Sequence, residues 1–263
     1  METRYIKIDK LIKKITKKDA LFNGKYALDP YQNCMFECLY CDSSFDKIVL
    51  IKSNAPDILR KEIKDIEKGK IILGSVHDPY QNIEEKTGLT RELLKIIRDN
   101  NFGCHILTKS NLILRDIDIL SKIKDCNVTI SITSTDEEIS KYFEENVPTP
   151  TERLSVVKHL NKNDIRSGVA LIPILPHIIE EGIEDIIRTV KQYDAQYLVH
   201  KYLELKGDQK NYFFRLLNDF NPELVEKYEE LYKNSFKPKD KYIEDLNNKV
   251  EELCKKYKLE KKV

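Results

Sequence analysis

The stretch Cys34-Met35-Phe36-Glu37-Cys38-Leu39-Tyr40-Cys41 holds three cysteines, separated by steps of four and then three positions. Connections this short let three thiolates point into one shared volume, which is a ligand pattern of iron–sulfur clusters. The turn-forming run Pro30-Tyr31-Gln32-Asn33 precedes the stretch, and the loop-like Asp42-Ser43-Ser44 follows it. We therefore expect the cysteines on an irregular, exposable segment. A cluster with three protein ligands leaves one iron open to another molecule.

Three other interpretations of these cysteines compete with the cluster. The positions share one helical face and can be core packing, but half of the six cysteines fall within eight residues. Zinc usually takes four ligands, and no second Cys or His pair lies near in sequence. Three cysteines cannot all pair among themselves as disulfides. The spacing favours a cluster.

Length, composition and charge limit the class of protein. The 263 residues are 41% apolar, which fits one barrel-sized domain or two small domains. Lys plus Arg (45) balance Asp plus Glu (44), so the net charge of +1 does not support a nucleic-acid partner, although it leaves a local basic patch open. No apolar run is long enough for a membrane span and no signal peptide is evident. We expect no membrane association and a cytoplasmic protein with reduced thiols.

Strands and helices alternate through the middle of the chain. Apolar runs predict strands over 48–51, 71–73, 104–107, 128–132, 169–172 and 197–199. Between them helices are predicted over 53–68, 90–100, 116–123, 136–143, 151–160 and 183–192, with Thr90 as an N-cap. This alternation predicts an α/β fold with a parallel sheet covered by helices, either doubly wound or closed as a barrel.

Polar residues follow four of the predicted strands. They are Ser75-Val76-His77-Asp78, Thr108-Lys109-Ser110, Thr133-Ser134 and His200-Lys201. In barrels of repeated βα units the carboxyl ends of the strands carry the active site, and this face suits convergence on one cofactor better than a single crevice does. The polar residues therefore favour a barrel, while the sequence alone leaves both architectures open.

The two ends of the chain are predicted to be helical. Lysines interleaved with Ile and Leu predict an amphipathic helix over 1–22, before the Asn23-Gly24 turn. Beyond Asp208, an aromatic run and a highly charged stretch predict two or three amphipathic helices. We divide the chain into an N-terminal helical segment (1–24), a barrel domain (25–205) and a C-terminal helical extension (206–263).

The pattern Cys-x-x-x-Cys-x-aromatic-Cys resembles the signature of radical S-adenosylmethionine (SAM) enzymes. The resemblance implies that Cys34, Cys38 and Cys41 hold a [4Fe–4S] cluster and that SAM binds the fourth iron. It also implies a partial (β/α)6 TIM-like barrel with additional C-terminal helices. The implied reaction is reductive cleavage of SAM to methionine and a 5′-deoxyadenosyl radical. An external one-electron reductant of flavodoxin or ferredoxin type would supply the electron. The step on the substrate, of lyase or oxidoreductase type, and the substrate itself are not specified.

Further blocks between about residues 25 and 205 resemble the spore photoproduct lyase-like group of this superfamily. These blocks are Pro30-Tyr31-Gln32-Asn33, Asp78-Pro79-Tyr80-Gln81 with Glu84, Leu89-Thr90-Arg91, Leu107-Thr108-Lys109-Ser110 with Arg115-Asp116, and Glu152-Arg153-Leu154. Together they are moderately specific, and each is weak alone.

The resemblance implies a SAM pocket, residue by residue. Tyr40 matches an aromatic whose main chain approaches adenine, and Lys109 matches a lysine that binds the methionyl carboxylate. Ser131 matches a strand serine near the cofactor, and Ile172, before Pro173, matches a strand end whose backbone meets adenine. Each match has a purely structural alternative. Tyr40 can be a core aromatic, Lys109 a surface lysine, Ser131 an ordinary strand hydroxyl, and Ile172 the end of a strand that Pro173 stops.

The loop after the second barrel strand carries Ser75, His77 and Asp78, which we also expect at the cofactor. His77 and Asp78 match a Ser-Asp pair that faces SAM, and the histidine is a departure. In spore photoproduct lyases a cysteine at the position of Ser75 donates hydrogen to the substrate radical. We therefore expect no repair of thymine photolesions.

The remaining cysteines and a second functional class complete the sequence-based predictions. Cys104 and Cys126, at the amino ends of predicted strands, and Cys254, in the tail, are expected to be free thiols. His200-Lys201 are candidates for reaching the substrate.

The alternative function is an iron–sulfur binding or electron-transfer protein without SAM chemistry, which the departures at Ser75 and His77 favour.

Overall fold

The computed structural model describes residues 1–16, 21–44 and 47–263, except for the side chain of Ser44. Its main sheet has seven strands: β2 (Lys13–Lys14), β3 (Tyr26–Leu28), β6 (Lys70–Leu73), β7 (Gly103–Thr108), β8 (Cys126–Ser131), β9 (Arg166–Ile174) and β10 (Leu198–Tyr202). They lie in that order across the sheet. The six strands from β3 to β10 are parallel, and only the short β2 is antiparallel to its neighbour.

Ten α-helices are present in the described ranges. They are α1 (Ala55–Glu62), α2 (Glu84–Thr87), α3 (Leu89–Asp99), α4 (Ile117–Leu120), α5 (Glu137–Phe143), α6 (Pro150–Lys162), α7 (Ile183–Gln192), α8 (Asp208–Phe220), α9 (Glu223–Tyr232) and α10 (Asp240–Lys256). Helices follow β6, β7, β8 and β9, because a parallel strand pair needs a crossover connection. The prediction of an α/β fold with a parallel sheet covered by helices is confirmed, and the sheet of the described residues is a partial barrel that stays open between β2 and β10.

Alternating side chains of the strands supply two separate cores. In β6, Ile71 and Leu73 point into the large core beneath the helices, whereas Ile72 points into the barrel interior. The interior cluster also contains Ala170 and Tyr197 and is filled by Phe22. Both faces of the strands are therefore buried, which explains their nearly continuous apolar sequences. The carboxyl ends of these strands are the edge at which a cofactor can lie.

The first barrel strand is not the predicted one. Residues 48–51 do form a strand, β5 (Ile48–Lys52), but it lies in a separate sheet between β1 (Glu2–Ile6) and β4 (Tyr31–Gln32). The barrel begins instead with β3, whose three residues are too few to show a period in the sequence. The small sheet matters for the site, because β4 leads directly into Cys34.

The predicted helix over residues 1–22 is wrong in the residues that the structure describes. β1 pairs with β5 in parallel along its whole length, and β2 pairs with β3. Residues 17–20 of the predicted helix lie outside the described ranges. Lysines and isoleucines that alternate every second or third residue fit a strand as well as a helix. The segment forms a strand because β5 offers an edge with which its main chain can pair.

Helix limits also differ from the predictions in places. The predicted helix 53–68 ends at Glu62, and the predicted helix 116–123 is reduced to the short α4, which follows a 3₁₀ helix over Asn111–Asp116. Thr90 is not the cap of α3. Gly88, with φ of 61°, occupies that position, while the Thr90 hydroxyl donates to the carbonyl oxygen of Pro79 at 2.5 Å.

The C-terminal extension forms three helices, as predicted, and joins the barrel at its last strand. Main-chain bonds connect Glu260 to Leu198 and Gln196, so the end of the chain extends the edge at β10. Within the described residues, no helix is both long and apolar enough to cross a bilayer.

Candidate active site

The segment that carries the cysteines is irregular, as predicted, and is held from two sides. Fully buried Gln81 accepts a hydrogen bond from the Met35 amide at 2.9 Å and donates one to the Asn33 carbonyl oxygen at 3.0 Å. The Asn33 side chain in turn donates to the carbonyl oxygen of Ile48 on β5 at 2.8 Å. Asn33 and Glu37 have positive φ values of 65° and 47°, which turn the segment back on itself. The cysteine positions are therefore set by β5 and by the loop after β6.

The three cysteines are present as reduced thiols and differ in burial. Cys34 and Cys38 are buried and Cys41 is half-buried, and a tight turn brings the Cys41 amide to the Cys38 carbonyl oxygen at 2.9 Å. Burial raises the pKa of the Cys34 thiol to about 12, and burial also raises the pKa of the Cys38 thiol. Thiolates in this environment need a cation to compensate the loss of water. Iron would supply that charge.

The three thiols share one cavity, which is the arrangement that an iron–sulfur cluster needs. Among the described residues, no three Cys, His, Asp or Glu side chains converge tightly enough to hold one metal ion. In a [4Fe–4S] cluster each thiolate binds a different iron atom, so three sulfurs need to border one cavity rather than meet at a point. Cys34, Cys38 and Cys41 do border one cavity.

That cavity has a volume of about 280 Å³ and opens at the carboxyl ends of the barrel strands. All predicted site residues except His77 line it. These are Cys34, Cys38, Tyr40, Cys41, Ser75, Asp78, Lys109, Ser131 and Ile172. They come from the cysteine segment and from the ends of β6, β7, β8 and β9. The fold therefore brings together residues that are up to 138 positions apart, from Cys34 to Ile172.

Lys109 presents an unsatisfied ammonium to this cavity. Its side chain is 17% exposed, and its Nζ lies 4.0 Å from Oε1 of Glu144 and 5.8 Å from the ring centre of Tyr40. Nζ donates no hydrogen bond to any residue in the described ranges. Burial disfavours the charged form, but the Cys38 and Glu144 side chains outweigh it and raise the pKa of Lys109. Lys109 is therefore an ammonium ion with free donors.

Asp78 has a structural task that the sequence did not show. Its carboxylate accepts hydrogen bonds from the Thr108 hydroxyl, the Lys109 amide and the Tyr80 amide, all at 2.7 or 2.8 Å. These contacts join the loop after β6 to the end of β7. Burial nevertheless raises the pKa of Asp78. The carboxylate borders the cavity with much of its hydrogen-bonding capacity already used.

The other predicted contacts occupy the opposite wall and the rim. Ser131 donates to the carbonyl oxygen of Ile172 at 3.2 Å, which links the ends of β8 and β9. Ser75 is exposed at the rim. His77 is not among the residues that line the cavity, and its Nδ1 is buried without a partner in the described residues. Burial lowers the pKa of His77, so it is a neutral side chain outside the cavity wall.

Behind the cavity wall lies a buried ion pair that sequence reasoning missed. Glu144, at the end of α5, and Arg153, on α6, are both fully buried and meet at 2.6 Å. Glu144 also accepts hydrogen bonds from the Tyr40 and Thr133 hydroxyls, the latter at 2.9 Å. Burial opposes the charged carboxylate, but Arg153 and Lys109 outweigh it and lower the pKa of Glu144. Arg153 stands within one of the family-like blocks, whereas no local signal marks Glu144.

Helix α8 closes the cavity from the C-terminal extension. The Gln209 side-chain amide donates to the carbonyl oxygen of Tyr40, and Gln209 is buried. Lys206 lies at the rim and shares the Glu204 carboxylate with Lys201, each at 2.7 Å. Lys201 therefore reaches the cavity mouth, while His200 turns outward to Asn247. The extension contributes directly to the site.

Several of the family-like blocks form a polar network beside the site. Buried Glu84 pairs with Arg115 at 2.7 Å and accepts a hydrogen bond from the Tyr31 hydroxyl at 2.5 Å. Buried Asp116 pairs with Arg91 at 2.7 Å and accepts from the Tyr80 hydroxyl at 3.0 Å. These groups do not line the cavity. Through Tyr31 and Tyr80 they link β4 and the loop after β6 to α2 and to the 3₁₀ helix Asn111–Asp116.

The three remaining cysteines lie far from the cavity wall. Cys104 and Cys126 face each other across β7 and β8 at the amino ends of the strands, with their Sγ atoms 3.5 Å apart. Cys254 is buried on α10. None of the three forms a disulfide in the described structure, and the prediction that they bind no metal stays a prediction.

Comparison with known proteins assigns the family. The model of the radical SAM superfamily matches residues 28–190. An uncharacterized protein of Methanocaldococcus jannaschii is 31% identical over 242 residues, which cover 86% of each chain. An uncharacterized protein of Mycobacterium tuberculosis strain H37Rv is 26% identical over 255 residues, covering 89% of this chain and 75% of that one. This chain belongs to the radical SAM superfamily, whose members use a [4Fe–4S] cluster and SAM and need an external reductant.

Solved structures support the same grouping through the fold. A spore photoproduct lyase variant superimposes with a TM-score of 0.76 at 17% identity, covering 97% of this chain and 79% of that one. SuiB of Streptococcus suis, bound to S-adenosylmethionine, superimposes with a TM-score of 0.55 at 15% identity, covering 76% and 47%. The predicted resemblance to the spore photoproduct lyase-like group is confirmed at the level of the fold.

Proposed function

We propose that this protein is a radical SAM enzyme whose cluster ligands are Cys34, Cys38 and Cys41 and whose SAM site is the cavity beside them. The observation that carries the proposal is that one cavity is bordered by the three thiols and by the Lys109 ammonium. When bound, the cluster and SAM supply a 5′-deoxyadenosyl radical for hydrogen abstraction from a substrate. The protein's task is to hold these groups in fixed positions.

Residues of the cavity wall can be given separate tasks on this proposal. Lys109 binds the methionyl carboxylate, because its ammonium is desolvated and has free donors. The Tyr40 main chain and the end of β9 at Ile172 border the adenine, and Ser131 holds Ile172 in place. The Asp78 carboxylate accepts a hydrogen bond from the Lys109 main-chain amide and so fixes the position of Lys109. Its oxygens can also accept hydrogen bonds from the ribose hydroxyls of SAM.

The decisive experiment is anaerobic reconstitution with iron and sulfide, followed by reduction with dithionite in the presence of SAM. The proposal expects 5′-deoxyadenosine, with Cys38→Ala giving neither cluster absorption nor product. A fully clustered protein that binds SAM without cleaving it would instead support a binding or electron-transfer role. A fully clustered protein that does not bind SAM would reject the proposal.

The step on the substrate is proposed to differ from spore photoproduct repair. Ser75 lies at the cavity rim, where the resemblance places the hydrogen-donor cysteine. An alkyl O–H bond is much stronger than an S–H bond, so a serine cannot readily return hydrogen to a carbon radical. The cysteines that line the cavity are the three proposed cluster ligands, and Cys104 lies at the far end of β7. No thiol of the described cavity wall is left to replace the donor.

A direct assay tests this distinction. The reduced, clustered protein with SAM is incubated with the dinucleoside spore photoproduct, and thymine products are quantified. We expect little or no conversion while 5′-deoxyadenosine is still formed. Efficient conversion would show that the argument from Ser75 is wrong.

A further inference from the structure

The buried ion pair behind the cavity wall contacts three of the proposed SAM-binding positions and reaches a fourth through one of them. Glu144 bonds to the Tyr40 hydroxyl and lies 4.0 Å from Lys109. Arg153 donates to the carbonyl oxygen of Ser131 at 2.8 Å, and Ser131 bonds to Ile172. Glu144 and Arg153 do not line the cavity themselves. The pair therefore acts on the site only through the residues in front of it.

Two cations compete for the Glu144 carboxylate. Arg153 and Lys109 both face it, and all three side chains are largely removed from water. Lys109 also faces the Asp78 carboxylate, which accepts a hydrogen bond from the Lys109 main-chain amide and not from Nζ. Arg153 is the preferred partner, because its Nη2 lies 2.6 Å from Oε2, whereas Lys109 stops at 4.0 Å from Oε1. The hydroxyls of Tyr40 and Thr133 occupy Oε1 as well. Arg153 therefore takes up the Glu144 carboxylate, and the Lys109 ammonium keeps its hydrogen-bond donors free at the cavity wall.

We infer that Arg153 is a positioning residue that keeps Glu144 from neutralising Lys109, so that the ammonium stays available to a carboxylate ligand. The inference rests on the proposed function and identifies what sets the affinity of the carboxylate subsite. Without Arg153, Glu144 is a buried carboxylate with one cation in reach, and Lys109 pairs with it. A carboxylate ligand then has to displace Glu144 from the Lys109 ammonium before it can bind there.

The test is a mutant cycle on the clustered protein, read out by calorimetric titration with SAM. Arg153→Met is expected to weaken SAM binding at least tenfold. Glu144→Gln, whose amide oxygen can still accept from Tyr40 and Thr133, is expected to stay within threefold of wild type. The double variant Arg153→Met/Glu144→Gln is expected to return to within threefold, because the competing carboxylate is gone. A purely structural role predicts that the double variant binds no better than Arg153→Met.

A second ligand separates charge competition from general damage to the pocket. Decarboxylated SAM lacks the group that Lys109 is proposed to bind, so its affinity should be the same for wild type and Arg153→Met. Equal losses for both ligands would overturn the inference. Arg115→Met is the matched control, because Arg115 also pairs with a fully buried glutamate, Glu84. It should lower the melting temperature and leave SAM affinity within threefold.

The inference can still be tested if one of the variants fails to fold. If Arg153→Met does not fold, the weaker substitution Glu144→Asp still tests the idea. The shorter carboxylate withdraws from Lys109, and SAM affinity should be retained while the melting temperature falls. A tenfold loss in Glu144→Asp would contradict the inference. Failure of the wild-type protein to bind SAM would reject the proposed function itself, whereas wild-type binding with an unaffected Arg153→Met rejects only the role of Arg153.

Discussion

Replacement of Lys109 by alanine is the most direct test of the proposed SAM site. The ammonium is 17% exposed and donates no hydrogen bond within the described residues, so its removal breaks no hydrogen bond and costs only the 4.0 Å ion pair with Glu144, which keeps its closer pair with Arg153. A charge-assisted hydrogen bond to a carboxylate contributes about 1.5–3 kcal/mol, which corresponds to roughly one to two decades in Kd. The buried position places the expected loss toward the upper part of this range.

The assay is calorimetric titration of SAM into the anaerobically reconstituted variant, with iron content and cluster absorption measured in parallel. Lys109→Ala should keep its cluster and lose SAM affinity. Lys109→Arg is not expected to restore it, because the guanidinium fork does not fit a space shaped for an ammonium. Lys70→Ala is a matched control: Lys70 is 10% exposed and pairs with Asp125 at the opposite end of the sheet. An unchanged Kd in Lys109→Ala would refute the assignment of the carboxylate subsite.

Three further predictions concern the cluster and the fold. Cys38→Ala should abolish the brown colour and all SAM cleavage, whereas Cys104→Ala should keep both; bleaching of Cys104→Ala would show that this thiol takes part in the cluster. Gln81→Ala removes the clamp between the cysteine segment and the loop after β6, so iron retention during gel filtration should fall at least severalfold; full retention would show that the clamp is dispensable. Burial lowers the pKa of His105 from 6.5 to about 3, so the unfolded chain binds one proton more between these values, and stability should fall by up to about 1.4 kcal/mol per unit as pH drops below 6.5. Urea unfolding of the cluster-free protein at pH 4.5 and 6.5 measures this, and His105→Gln should reduce the difference.

Much of the barrel could be predicted from the sequence, because its strands are buried on both faces. Apolar runs such as 128–132 and 169–172 need no tertiary information to be identified, since no other environment accommodates them. The ends of β6, β7 and β8 could also be located, because polar residues begin abruptly there. The cysteine spacing belongs to the same class of local signal, and it suggested both the cofactor and the family.

Local signals failed where the competition between strands decides the structure. Residues 48–51 had the composition of a barrel strand, yet β5 pairs with β1 and β4. The first parallel strand of the barrel is instead β3, a segment of three residues. Which strand occupies an edge depends on the free energies of alternative pairings across the whole chain, and no window of sequence contains that comparison.

The sequence by itself determined which groups can do the chemistry: three thiols at cluster spacing, and a lysine at the end of a parallel strand. Only the tertiary structure decided how these groups are held and charged. Tyr40 meets Glu144 across 104 positions and Gln209 across 169 positions. Whether Lys109 is a neutralised surface lysine or a free buried cation depends on the placement of Glu144 and Arg153. The reason is physical: a residue type fixes the charge that a side chain can carry, but burial and neighbouring charges, which come from distant parts of the chain, fix what that charge does.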